Sequence, residues 1–292
     1  MSCTKLVNCG IPQGTVLGPL LFILYINDIS KSVINSHIKL FADDSNLFVV
    51  NNNLNDLSLS ANRELSAISQ WILANKLFIN YDKTNFMIFE PCGRRSANHV
   101  NAPTPILHLD GHVVERVYLT KFLGVHIDSK LCWSDHINYL TNKIASLSGI
   151  LYRNKSRLPL KCKKDIYFAL IYPLLTYCIE IYANVPKVTI YLPIIKCNRF
   201  LRLLQSKPRV TPVINLCSIY NTLPFDALFK LFTLKFIHKC LFSPSLISPA
   251  IGRLFQREIF VHSHNTRHSN NFILPSDINT KSIIFLWSFN VV

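Results

Sequence analysis

Two adjacent aspartates enclosed by strand-forming residues constrain this chain more than any other feature. Asp43 and Asp44 lie between the runs His37–Phe41 and Ser45–Val50. Aromatic and β-branched residues favour strands and Asp does not, so the pattern predicts a β-hairpin with the acids at its tip. Two interpretations are open for such a pair: plain turn chemistry, in which Asp bonds its own backbone, or a site for divalent metal.

The segment upstream of this hairpin adds a second motif. Residues Gly10–Gly14 read Gly-Ile-Pro-Gln-Gly, and an apolar run follows them up to Ile26-Asn27-Asp28. Glycines allow backbone to approach a ligand closely, and the apolar run predicts a buried helix.

These two blocks together resemble the palm of a reverse transcriptase of the non-LTR retrotransposon type, which carries a Pro-Gln-Gly loop, a helix closing on Ile-Asn-Asp and a Phe-Ala-Asp-Asp hairpin. Residues Trp71–Phe89 resemble the helix, turn and strand that follow this hairpin in the family. Residues Phe122–Asp128 and Leu131–Ile137 are similar to the primer-grip hairpin and to the helix leading into the thumb. The resemblance is specific from Gly10 to about Lys143.

The fold class implied by the resemblance is α+β. Residues 1–130 are expected to form a partial palm, an antiparallel sheet with packed helices, together with the primer-grip hairpin. Residues 131–185 are expected to form a helical thumb-like region, and residues 186–292 a helical, basic C-terminal region of unknown role. Helical spacing of apolar residues predicts helices over Leu54–Ile72 and Ser134–Arg153, the second with Ser134 as its N-cap. Another helix is predicted from Pro159 to about Tyr182.

The activity implied by the resemblance is RNA-templated DNA synthesis, with an RNA template, a DNA primer and deoxynucleotide triphosphates as partners. The reaction would use two Mg²⁺ ions, which favour carboxylate oxygens and stabilise the attacking and leaving oxygens of phosphoryl transfer. Asp43 is the expected main ligand, and Asp44 a second ligand or an electrostatic support.

Other positions take their expected roles from the same motifs. Gln13 and Gly14 match the loop that contacts nucleotide and template, and Lys83 matches a lysine near the leaving phosphate. The alternative for Lys83 is an exposed lysine at the end of a strand. Phe122, Leu123 and Gly124 match the hairpin that holds the primer, and their alternative is ordinary hairpin packing.

One departure from the family pattern bears on activity. A palm of this kind needs another metal-binding Asp, on a strand before the Pro-Gln-Gly loop, and Met1–Cys9 contain no acid. We therefore predict that the isolated chain is inactive or nearly so, and that the missing strand exposes a sheet edge. Two functions stay open: a reverse transcriptase fragment, or a non-catalytic remnant that binds RNA or RNA–DNA duplex.

Composition narrows the partners and the compartment. Thirty-one Lys and Arg against 16 Asp and Glu, in 292 residues, give a net charge of +15, which favours a polyanionic partner. Nine cysteines without a Cys-x-x-Cys pair predict reduced thiols in an intracellular protein of nucleus or cytoplasm, with no zinc ribbon. Neither a secretory signal nor a membrane span is predicted, and Phe168–Val185, broken by Pro173 and Glu180, is read as a buried helix.

Two further segments are expected to be basic loops. Glu90–Pro105 carries Arg94 and Arg95 between two strands. The segment His262–His268 holds three His without a nearby Cys, which favours a loop that touches nucleic acid over a zinc site.

Overall fold

The computed structural model describes residues 14–51, 53–89, 105–154, 156–248, 251 and 283–290, the last segment by its backbone alone. Contacts divide these residues into two units. The first contains the described residues up to Thr120, Ser129–Leu131 and residues 283–290. The second contains Lys121–Asp128 and the described residues from Cys132 to 251. The predicted functional boundaries at 130 and 185 remain predictions.

A five-stranded sheet forms the framework of the first unit. Its strands are β1 (His37–Phe41), β2 (Asp44–Asn51), β3 (Asn85–Phe89), β6 (Glu115–Arg116) and β9 (Ile283–Asn290), in the spatial order β1-β2-β9-β3-β6. All neighbours are antiparallel except β3 and β6. The short strands β4 (His108–Leu109) and β5 (His112–Val113) form a separate hairpin. The mixture of helix and sheet agrees with the predicted α+β class.

Strand β9 occupies the centre of this sheet and pairs with both β2 and β3 along most of their length. The exposed edge expected from the missing palm strand is therefore not present at β2 or β3. Residues 283–290 belong to the region predicted to be helical, so the strand is a correction to that prediction. Periodicity misses it because a short apolar segment suits a buried strand as well as a helix.

Helix α2 (Leu54–Ala74) covers the sheet of the first unit. Asn53 caps its N-terminus, because the Asn53 side-chain oxygen accepts the backbone N–H of Asp56 at 2.7 Å. Leu57, Leu65 and Ile68 are buried and share one core with β2 and β3. The helix predicted from the spacing of apolar residues is confirmed.

A buried carboxylate fixes the segment that leads into β1. Glu64 of α2 is buried, and its two carboxylate oxygens accept the backbone N–H groups of Ile34 at 3.0 Å and Asn35 at 2.8 Å. Hydrogen bonds to a charged group are stronger than neutral ones. The start of the aspartate hairpin is thus attached to the helix that packs beneath it.

Helix α1 (Leu17–Ile26) follows the glycine loop as predicted, but its predicted burial is wrong. Only Ile26 is buried, whereas six large apolar side chains are exposed: Leu17, Leu20, Leu21, Ile23, Leu24 and Tyr25. An all-apolar sequence indicates a helix that is covered on several sides. Within the described residues, α1 is covered on one side only.

The second unit is mainly helical. Its elements are the strand β8 (Val125–Asp128), which is joined to β7 (Leu119–Phe122), and the helices α3 (Ser134–Asn154), α4 (Leu160–Ile166), α5 (Tyr172–Thr176), α6 (Ile179–Tyr182), α7 (Lys187–Leu204), α8 (Val213–Tyr220) and α9 (Phe225–Phe242). The apolar face predicted for α3 is buried through Ile137, Leu140, Ile144 and Leu151. Tyr167, Tyr182 and Phe200 fill the centre of this core.

The helix predicted from Pro159 to about Tyr182 is interrupted. A π-helical turn occupies Tyr167–Ile171, and Cys178 adopts a left-handed conformation with φ 56° between α5 and α6. Prolines also behave differently from one another. Pro186, Pro212 and Pro224 directly precede helices, whereas Pro193 lies buried inside α7, which continues through it.

No helix in the described segments is both long and apolar enough to cross a membrane. The six cysteines of these segments are free thiols: Cys132, Cys162, Cys178, Cys197, Cys217 and Cys240.

A buried histidine in the second unit is expected to couple its stability to pH. His136 of α3 is 2% exposed and packs against His126, Tyr139 and Tyr182. Burial, and secondarily the neighbouring His126, lower the pKa of His136 to about 4. The unfolded chain therefore binds a proton here more readily than the folded one.

We expect the free energy of unfolding to fall as the pH drops from about 6.5 to about 4, by about 3 kcal/mol from this residue. The His136→Gln variant keeps an acceptor for the backbone N–H of His126 and does not titrate, so it should lose this part of the pH dependence. Urea unfolding at several pH values, monitored through the hydrogen exchange of α3 amides, measures the difference between the two proteins. Equal pH slopes in both proteins would contradict the prediction.

Candidate metal and nucleic-acid site

The predicted aspartate hairpin is present. Strands β1 and β2 are joined by the two-residue turn Ala42-Asp43, with Phe41 paired to Asp44. Ala42 has a φ of 52°, in the left-handed region that favours glycine. The tight turn puts Asp43 at the exposed tip and Asp44 at the first position of β2.

Burial and two charged neighbours influence Asp44 near this tip. Burial raises the pKa of Asp44 above its ordinary value, the Asp43 carboxylate raises it further, and the Lys83 ammonium opposes them. Like charges held close together favour a bound cation or a proton. The pair is therefore suited to a divalent metal ion.

Sheet register explains why Lys83 lies near the two acids. Asn46 of β2 and Asn85 of β3 both pair with Ser288 of β9, and both strands run antiparallel to β9. Asp44 and Lys83 each precede that row by two residues, so both lie at the same end of the sheet. Asn80 helps to fix Lys83, because its side-chain oxygen accepts the Lys83 N–H at 3.3 Å.

Two polar residues next to the acids were missed by sequence reasoning. Ser45 and Asn46 are fully buried, and the Ser45 hydroxyl and the Asn46 amide find no hydrogen-bond partner within the described segments. Leaving a polar group buried without a partner costs about 1–3 kcal/mol. Their position as polar residues in an otherwise apolar predicted strand is the sequence signal that could have singled them out.

The described segments contain no group of three or more His, Cys, Asp or Glu side chains suited to a metal. Asp43 and Asp44 are a pair of adjacent carboxylates there, and their role as metal ligands stays a prediction. Gly14 adopts a φ of 88°, and within the described residues no atom lies within 4 Å of where a Cβ would be. Its contact with nucleotide and template stays a prediction. Three predicted elements lie outside the described residues: Gln13, residues 90–104 of the predicted basic loop, and His262–His268.

A hairpin is also present at the predicted position Phe122–Asp128, which belongs to the second unit, and its primer-grip role stays a prediction. Leu123 and Gly124 form its turn, with φ values of 45° and 87°. Two positive φ angles are the requirement of a type I′ turn, which favours Asn-Gly. The Tyr177 hydroxyl donates a hydrogen bond to the Leu123 carbonyl at 2.6 Å.

We expect Leu123→Asn to stabilise the second unit by about 1 kcal/mol, because a left-handed conformation costs L-residues with a bulky Cβ about 1–2 kcal/mol and Asn tolerates it better. Leu123→Ala keeps the same Cβ and serves as the control, with no gain expected at this backbone conformation. Urea unfolding of the three proteins measures the effect. A lower unfolding midpoint for Leu123→Asn would show that the leucine side chain contributes more through packing than it loses through strain.

Asp128, which carried no assigned role in the sequence, stabilises the loop that follows β8. Its carboxylate accepts the backbone N–H groups of Cys132 at 2.9 Å and Trp133 at 2.8 Å. These bonds close the loop that joins β8 to α3. The motif Phe122–Asp128 thus holds a hairpin against the start of a helix.

Comparison with known proteins identifies the class. Residues 3–141 match the family described as reverse transcriptase (RNA-dependent DNA polymerase). The region that holds the aspartate hairpin, Lys83 and the Leu123-Gly124 turn therefore belongs to the reverse transcriptase family. Members of this family generally use divalent metal ions and bind a nucleic-acid template and primer.

Curated relatives specify the type. The chain is 26% identical to the RNA-directed DNA polymerase from mobile element jockey of Drosophila melanogaster, over 64% of this chain and 20% of the relative. It is also 26% identical to the probable RNA-directed DNA polymerase from transposon BS of the same organism, over 64% of this chain and 21% of the relative. These relatives indicate that the matched region of this chain is of the non-LTR retrotransposon type.

The matched region spans about a fifth of the length of these relatives. No solved structure matches the chain significantly.

Proposed function

We propose that Asp43 and Asp44 are metal-binding carboxylates of an RNA-directed DNA polymerase, in a site that needs a further carboxylate from outside this chain. The observation that carries the proposal is the group of two acids and Lys83 at one end of the sheet. Two bound Mg²⁺ ions would stabilise the attacking and leaving oxygens of nucleotidyl transfer.

Each predicted residue has a place in this proposal. Asp43, exposed at the turn, offers its carboxylate to the metal, and Asp44 adds a second carboxylate or supports the first. Lys83 presents a cation to the charge that develops on the leaving phosphate. Gln13 and Gly14 would contact template and nucleotide, and Phe122, Leu123 and Gly124 would hold the primer.

The larger regions follow the same scheme. We assign residues 1–130 to a partial palm with the primer-grip hairpin, residues 131–185 to a thumb-like region, and residues 186–292 to a basic C-terminal region. The exposed apolar surface of α1 supports the idea that the complete palm contains more covering structure than the described residues provide. The isolated chain is then expected to be inactive.

A second candidate is a non-catalytic protein that binds RNA or RNA–DNA duplex. The net charge of +15 favours it, since a basic surface binds phosphate backbones whether or not a metal site is complete. Binding that does not depend on Asp43 or Asp44, from a chain that takes up no metal, would favour this candidate.

Metal binding tests the proposal without requiring catalysis. We expect Mn²⁺, used as a probe for Mg²⁺, to bind the chain and to broaden the amide signals of Phe41–Asn46 in NMR spectra. Asp43→Asn should weaken this binding at least tenfold, because it removes one of two charged ligands. Asp226→Asn, which removes an exposed acid from the second unit, is the matched control.

The pH dependence gives a second readout. Because burial and Asp43 raise the pKa of Asp44, protons compete with the metal, so Mn²⁺ affinity should increase as the pH rises through that pKa. Equal Mn²⁺ affinity in Asp43→Asn and Asp226→Asn would reject the metal site.

A further inference from the structure

A groove of about 830 Å³ lies on the second unit between α3 and α7. Helix α3 contributes Ala145, Ser148, Gly149 and Tyr152, whose spacing of three and four residues places them on one face. The residues from α7 fall within about 120° of its circumference, at 100° per residue. The groove is therefore formed by two facing helix surfaces.

The charge of this groove is uniformly positive. Its lining contains five cations, namely Lys196, Arg199, Arg202, Lys207 and Arg209, and no acid. The sequence contains no Asp or Glu between Glu180 and Asp226. A cleft lined by charges of one sign concentrates its field and attracts the opposite charge.

One of these cations organises the others. The Arg202 guanidinium donates to the Thr211 carbonyl from Nη2 at 3.0 Å and from Nε at 3.3 Å. This contact ties the segment after α7, which carries Lys207 and Arg209, to the helix. Arg199, Lys207 and Arg209 have exposed side chains.

An aromatic ring stands beside these cations. Tyr152 is 63% exposed at the groove, and one turn before it Gly149 leaves open space where a side chain would lie. Cations that follow a backbone, combined with an aromatic ring on which a base can stack, are the common elements of sites for single-stranded nucleic acid.

We propose that this groove binds single-stranded RNA, with phosphates at Arg199, Lys207 and Arg209 and a base stacked on Tyr152. The choice of RNA over DNA rests on the proposed function. The volume lies within the range of about 300–1,000 Å³ found for small-ligand clefts, which admits a few nucleotides of one strand but not a double helix. The groove is thus a site for an unpaired segment of RNA.

The test measures binding of the full chain to a short fluorescein-labelled oligouridylate by fluorescence anisotropy, over a salt series and without metal or nucleotides. The triple variant Arg199→Ala, Lys207→Ala, Arg209→Ala removes three exposed cations of the groove. The control is the triple variant Lys161→Ala, Lys187→Ala, Lys230→Ala, which removes three exposed cations elsewhere on the same unit. Its net charge equals that of the groove variant.

We expect the groove variant to bind at least tenfold more weakly than the control variant. The slope of log affinity against log salt should shrink by about 2 in the groove variant, since each phosphate contact on a single strand contributes about 0.7. Tyr152→Ala should weaken binding about tenfold with an unchanged slope, and Tyr152→Phe should restore it.

Equal losses in the two triple variants would overturn the proposal, because they would show that net charge alone attracts RNA. The proposal would also be overturned if the groove variant lost as much affinity for an RNA duplex as for the oligouridylate. Tighter binding of oligothymidylate than of oligouridylate would overturn it as well. Because no step needs metal or polymerisation, the result is independent of whether Asp43 and Asp44 support catalysis.

Discussion

Primer extension by the isolated chain on an RNA template, with Mg²⁺ or Mn²⁺, is expected to be no faster than extension by its Asp43→Asn variant. Two adjacent carboxylates leave a two-metal site short of ligands, and small misplacements of the reacting atoms lower rates about 100-fold. Both proteins should still bind primer–template, because phosphate contacts do not need the metal.

Supplying the missing carboxylate should make the primer-extension rates of the unsubstituted chain and its Asp43→Asn variant differ. We expect primer extension by the unsubstituted chain to be restored when the jockey polymerase segment that precedes the matched region is added as a second chain. The Asp43→Asn variant should then remain at least 100-fold slower, because it lacks the carboxylate that we propose as the main metal ligand. Asp226→Asn is the control and should extend as the natural chain does.

The opposite result is equally informative. If the isolated chain extends primers and Asp43→Asn does not, a carboxylate within this chain completes the site and the predicted need for outside residues is wrong. Incorporation of labelled nucleotide, measured at equal protein and equal primer–template binding, distinguishes the outcomes.

Disrupting the central strand should have the largest effect on stability. Leu286 of β9 pairs with Phe48 of β2 on one side and with Met87 of β3 on the other. Proline at this position removes a backbone N–H from the middle of a five-stranded sheet, and central strands exclude proline because it cannot donate to the hydrogen-bond ladder. We expect Leu286→Pro to unfold β9 from the sheet and to expose the edges of β2 and β3.

Hydrogen exchange measures this directly. Amides of β2 that bond to β9 should lose at least about 100-fold of their protection in Leu286→Pro, the equivalent of about 3 kcal/mol. Leu286→Val keeps the backbone N–H and a strand-forming side chain, so it should keep that protection. Unchanged protection of β2 in Leu286→Pro would mean that β9 does not pair there in solution.

Local patterns were sufficient for the elements that depend on neighbouring residues. The hairpin at Asp43 and Asp44 and the helices α2 and α3 were each predicted, because strand formers and helical spacing act over a few residues. The hairpin at Leu123-Gly124 was implied by the family resemblance alone. The buried faces of α2 and α3 follow from the same spacing.

Features that depend on distant residues could not be predicted in this way. The position of β9 between β2 and β3 joins segments about 240 residues apart, the difference between Asn46 and Ser288. The exposure of α1 depends on what covers it, and an apolar sequence cannot report that. The break at Cys178 lies in a run that resembles a continuous helix.

The sequence by itself determined the family, the acids at a hairpin tip and the surplus of positive charge, because these depend on residue type and short-range order. Only the tertiary structure decided that Lys83 lies at the same end of the sheet as Asp44, and that cations from α7 and the segment after it face Tyr152 of α3 across one groove. These arrangements depend on strand register and helix packing, which bring together residues that no local pattern connects.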